Sequence, residues 1–143
     1  MTLLVADQLL RARPTLSDAG PYRHAALRQY RSVTLEARVA AASPHELVMM
    51  LFERLIQLLQ EACDAARQAE AVRRIRATER ALAIVDGLDS SLDKARGGDV
   101  AEALANAYAM LRAQLMDGST AALSAAAFAA QEIAGAWRAI GRP

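Results

Sequence analysis

Four consecutive stretches of this chain repeat apolar residues at spacings of three and four, and the clusters of turn-forming residues fall between them. That period is the signature of an α-helix, in which positions three and four apart share a face. The first stretch runs from Ser43-Pro44 to about Ala69. It sets Leu47, Leu51, Leu55, Leu58 and Ala62 on one stripe, with Val48, Phe52, Leu59 and Cys63 beside it. The second, about Glu70 to Lys94, is expected to turn Val72, Ile75, Leu82, Val85, Leu88 and Leu92 inward. The third, from Asp99, aligns Val100, Leu104, Tyr108, Leu111 and Leu115. The fourth, about Thr120 to Ile140, aligns Leu123, Ala126, Ala130, Ile133, Trp137 and Ile140.

The boundaries carry their own chemistry. Ser43 can accept a free N–H, Pro44 suits a first helical position, and Glu46 stands where a capping box needs it. Gly97-Gly98 are expected to close the second helix with a left-handed cap, and the Asp99 side chain to cap the third. Asp117-Gly118-Ser119 supplies turn residues before the fourth. Connections this short force neighbouring helices to run antiparallel. The expected fold is therefore all-α, an antiparallel up-and-down four-helix bundle. An additional N-terminal helical segment, Tyr22 to Ala40, carries Ala26, Leu27, Tyr30, Val33, Ala37 and Ala40 at helical spacing. Pro14, Gly20 and Pro21 set residues 1–21 apart as a mobile extension, leaving residues 22–143 as one domain.

Composition agrees. A chain of 143 residues suits a single core, and 54% hydrophobic with 23% charged residues is too apolar for disorder. Aromatics are only 4% and alanine is abundant, so helices should pack closely. A net charge of +1 lacks the basic face expected of a nucleic-acid binder. The single cysteine, Cys63, cannot form an internal disulfide, which fits a reducing compartment. Asp7 interrupts the N-terminus too early for a secretory signal, and no apolar run is long enough to insert in a membrane. The expectation is a cytoplasmic protein.

No enzyme chemistry, metal or cofactor is indicated. His24 and His45 have no acid or nucleophile at an orienting distance in sequence. Asp86, Asp89 and Asp93 share a helix face but lack the order of a calcium loop, so a solvated edge is expected. Arg73, Arg74, Arg76 and Arg80, flanked by Glu70 and Glu79, read as exposed pairing along a helix rather than as a patch for an acidic partner. Cys63 and Trp137 follow core stripes. The helix after Pro44, however, has more apolar surface than one packed face requires. Met49, Met50 and Phe52, beside leucines, have the composition of grooves that accept an amphipathic helix.

The same residues resemble a known family. Tyr30, then Ser43-Pro44, then Leu47-Val48-Met49-Met50-Leu51-Phe52 is similar to the pattern of the flagellin-specific export chaperones, the FliS family. Gly87-Leu88-Asp89-Ser90-Ser91-Leu92-Asp93, Leu104 with Tyr108, and Ala136-Trp137 continue the similarity in order, over about residues 22–141. Glu53-Arg54 stand where the family commonly has Asp-Gly, and Met110 and Gln114 where an aromatic and an arginine are usual. The resemblance implies a cytosolic chaperone that binds the C-terminal segment of flagellin. It would prevent early polymerisation and help deliver that client to a component of the flagellar export gate. It also implies a partner-binding set of Tyr30, Leu47, Met50, Leu51, Tyr108 and Leu111, with the Tyr30 segment covering the surface when empty.

Two other readings differ in what they predict. A phosphotransfer bundle would use His45 or His24, yet neither has the His-x-Leu-Lys-Gly surroundings of that class. A purely structural bundle would self-associate without a client, and a homodimer stays open in either case.

Overall fold

The computed structural model describes Ala26 and residues 34–141, and among these residues every regular element is helical. The chain divides into two compact units, Met1–Leu47 and Val48–Pro143. In the first, residues 34–41 are helical and a break follows at 42–43. Leu35 and Val39 on this segment are exposed. The 1–21 extension and Tyr30 lie outside the described residues. Four long helices follow: α1 (Pro44–Arg67), α2 (Ala71–Ser90), α3 (Gly98–Asp117) and α4 (Thr120–Ile140).

α1 starts where the serine cap predicts: the Glu46 N–H donates to Ser43 Oγ at 3.2 Å. It ends in a Schellman arrangement, with Glu70 N–H donating to the Ala65 carbonyl and Ala69 N–H to that of Ala66. The left-handed residue of this motif is Ala69, at φ 57°. Alanine bears a Cβ penalty there that glycine lacks. Ala69→Gly is therefore expected to stabilise the protein by about 0.5–1 kcal/mol, seen as a higher urea midpoint at unchanged slope.

Two boundaries differ from expectation. α2 stops at Ser90, capped by right-handed Ser91, well before the glycine pair. The left-handed Gly98 instead opens α3, whose N-terminus has no side-chain cap, and Asp99 lies within its first turn. The 91–97 connection finds its own bonds: Asp93 accepts Arg96 N–H through Oδ1 and Gly97 N–H through its carbonyl. α2 itself ends where Ser91 Oγ donates to the Leu88 carbonyl at 2.8 Å and the Leu92 N–H turns to the Asp89 carbonyl instead. Gly118, at φ 72°, ends α3, and Ser119 Oγ caps α4 by accepting the Ala122 N–H at 3.1 Å.

Side-chain contacts confirm the up-and-down order within the second unit. Arg112 on α3 pairs with Asp86 on α2, and the Asp89 charge acts on Tyr108, so α2 and α3 run in opposite directions. Cys63 Sγ reaches the Thr120 carbonyl at 3.9 Å, while the rings of Phe52 and Trp137 lie 6.4 Å apart, so α1 and α4 are also antiparallel. The core combines Phe52, Leu55, Leu58, Leu59 and Ala62 of α1 with Ala77, Ala81, Val85 and Leu88 of α2. Tyr108, Leu111 and Leu115 of α3 meet Leu123, Ala126, Ala130 and Ala134 of α4.

The inward stripes correct the sequence reading. Val72 and Ile75 of α2, Val100 of α3 and Ile140 of α4 are exposed, and Leu51 of α1 is 40% exposed. Ala77, Ala81, Ala101 and Ala134 take interior places instead. Small side chains let helices approach closely, and closer approach rotates some large ones outward.

Candidate functional site

A bundle that buried all its apolar residues would offer little for another chain to hold. This one leaves several large side chains on its surface. One concavity with an apolar floor follows the α2–α3 seam. Ala105, Ala109 and Ala113, each four residues apart, form one face of α3, and Met116, 71% exposed, stands one turn beyond. The Asp86–Arg112 ion pair crosses between the helices, so Arg112 and Asp89 form a charged edge along an otherwise apolar groove of about 340 Å³.

The lining of this groove holds no set of reacting groups and suits recognition of another chain. Alanines leave room for incoming side chains, a thioether adapts its shape to them, and the charged edge fixes orientation. The groove is not legible as a hydrophobic stripe because half of its lining is alanine, a residue that fits a helix interior as readily as a surface. The signal available was the four-residue alanine spacing on the flank of the Tyr108 face.

The residues proposed from sequence divide three ways. Leu51 is exposed on α1, with Met50 and Leu47 half-buried on the same helix. Tyr108, 2% exposed, and Leu111 are core residues, and the Tyr108 ring lies 6.5 Å from that of Phe52. Tyr30 lies outside the described residues. No α1 residue lines the α2–α3 groove, so two separate surfaces emerge. Of the family departures, Glu53 and Arg54 are exposed, with Arg54 donating to Gln57 at 3.3 Å, and Met110 is exposed on α3.

The other sequence candidates acquire ordinary roles. Asp86 pairs with Arg112, and Asp93 pairs with Arg96 at 3.7 Å. Arg73 pairs with Glu70 at 2.8 Å and Glu61 at 3.7 Å. The hydrogen bond to Glu70 holds the Arg73 pKa above its usual value, against partial desolvation.

With this geometry in view, the comparisons are decisive. The sequence profile of the family described as "Flagellar protein FliS" matches residues 26–143. The chain belongs to the FliS family. It is 31% identical over 99 residues to the flagellar secretion chaperone FliSB of Pseudomonas aeruginosa, covering 69% of this chain and 79% of that protein. It is 34% identical over 88 residues to the flagellar secretion chaperone FliS of Salmonella typhimurium, covering 61% and 65%. For the Vibrio cholerae flagellar secretion chaperone FliS the identity is 33%, over 57% of this chain and 60% of that one.

In this FliS-family chain Tyr108, one of the two tyrosines of the resemblance, is a buried core group. Burial, and then the nearby Asp89 carboxylate, push Tyr108 from 10.0 to about 12. The unfolded chain therefore loses this proton near pH 10 and the folded one near pH 12. The associated stability is present below pH 10 and is lost as pH rises through that window, by about 2–3 kcal/mol. Tyr108→Phe should remove this part of the alkaline decline, measured as denaturant midpoints of both proteins between about pH 9 and pH 11.5.

Proposed function

We propose that this protein is a flagellar secretion chaperone that binds the C-terminal segment of flagellin in the cytosol. Binding keeps that segment from polymerising early and holds it ready for a component of the flagellar export gate. The observation that carries this reading is the open alanine-floored α2–α3 groove in a chain of the FliS family. An amphipathic segment that is disordered alone can lay an apolar face into such a groove, ordering on contact and still releasing. The exposed Leu51, with Met50 and Leu47, offers a second apolar stretch along α1 for an extended client. Tyr108 and Leu111 serve beneath these surfaces by fixing α3 against α1, and Tyr30 remains a proposed client or covering residue.

The reading is tested by titrating the full chain with a synthetic peptide of the flagellin C-terminal segment. A one-to-one complex with a gain of helical circular dichroism is expected. Absence of binding at micromolar concentrations would overturn it. Labelling of His45 or His24 by a sensor kinase would favour phosphotransfer instead.

A further inference from the structure

The α1–α2 side of the bundle carries a feature that an apolar client does not use. Arg73, Arg76 and Arg80 recur at three and four residues along one face of α2 and line a second groove, with Ala77 in its floor and Glu61 of α1 opposite. The sequence suggested that flanking glutamates neutralise this run. They neutralise only part of it. Arg73 takes both Glu61 and Glu70. Among the described residues, the side chains of Arg76 and Arg80 have neither an ion-pair nor a hydrogen-bond partner, and Glu79 engages neither of them.

Local physics disfavours this arrangement as mere surface. Like charges one helical turn apart repel. The first turn of α2 contains no acidic residue, and its N-terminus has no side-chain cap, so Arg73 and Arg74 stand at the positive end of the helix dipole. Glu61 and Glu70 compensate Arg73, whereas Arg76 and Arg80 have no such contact, and local conflicts left uncompensated concentrate at functional sites. Val72, 63% exposed, lies on the same groove and adds an apolar contact beside the guanidiniums.

We propose that the Arg73–Arg76–Arg80 groove docks an acidic polypeptide segment, distinct from the apolar client. Carboxylates of that segment would bind the planar forks of Arg76 and Arg80, and an aliphatic side chain would cover Val72. A polypeptide fits better than a nucleic acid. The positive run is short and broken by Glu61 and Glu70, so it matches carboxylates set at intervals along a peptide rather than a continuous phosphate backbone, and the chain's net charge is only +1.

The test uses the full chain and a fluorescent peptide of glutamates interspersed with leucines, with its lysine counterpart and a single-stranded oligouridine as comparators. The acidic peptide should bind, and weaken about tenfold from about 50 to about 300 mM salt. The lysine peptide should not bind. Arg76→Glu/Arg80→Glu should lower acidic-peptide affinity at least about tenfold while leaving the flagellin peptide unaffected, which separates this groove from the client surface. Arg76→Gln/Arg80→Gln, which adds no repulsion, should lose affinity in the same direction, and circular dichroism should show both variants folded. No binding of the acidic peptide, equal binding to the variants, or tighter binding of oligouridine would overturn the proposal.

Discussion

Phe52→Ala is expected to destabilise the protein by about 3–5 kcal/mol, enough to leave a marginal domain substantially unfolded. Phe52 is fully buried, and its ring lies 6.5 Å from Tyr108 of α3 and 6.4 Å from Trp137 of α4. A single side chain thus joins three helices. Truncation loses the transfer free energy of the ring and both aromatic pairings, and leaves a cavity that helices crossing at fixed angles cannot close. Urea unfolding followed by circular dichroism measures the change. A loss below about 1 kcal/mol would mean that α1 does not pack on α3 and α4 through this ring.

The second large effect concerns binding. Ala109→Glu with Met116→Asp should reduce affinity for the flagellin C-terminal peptide by about thirtyfold or more, the scale of a central contact of about 2 kcal/mol. Both positions are exposed, so the charges cost the free protein little, but a client would have to desolvate them. Leu51→Asp tests the α1 surface in the same way, since it too is partly exposed. If Leu51→Asp abolishes binding while the groove pair has no effect, the client surface belongs to α1 and the α2–α3 groove is vacated as a site. If both are silent in folded proteins, the proposed surfaces are wrong.

Residues that act on near neighbours in the chain are legible from sequence, and those whose place depends on helix packing are not. Period, caps and turn clusters identified four helices, and α4 spans Thr120–Ile140 as read. Ser43 caps α1 because the side chain acts on a backbone group three residues away, which needs no distant partner. α2 ends at Ser90 and not at the glycine pair because the Ser91 hydroxyl takes the Leu88 carbonyl and the Leu92 N–H turns to Asp89, a local competition that the periodic pattern does not show. Among the surface residues, Leu51 and Met116 differ in how far the sequence pattern foretold them. Leu51 lies on the periodic stripe of α1 and also in the partner-binding set that the resemblance implies, and its partial exposure departs from the core reading alone. Met116 was given no role, yet it is the most exposed large apolar residue of α3.

The sequence by itself determined the helices, their order and antiparallel sense, and the resemblance to the FliS family. Those properties follow from interactions within a few residues and from connections too short to allow another path. Only the tertiary structure decided which apolar residues are interior and which face outward. Alanine and leucine contribute to the same periodic pattern, and the choice between them depends on how closely two helices approach. Tyr108 became core and Ala109 became groove floor, one residue and about 100° apart on α3, because α1 and α2 approach that helix from particular directions.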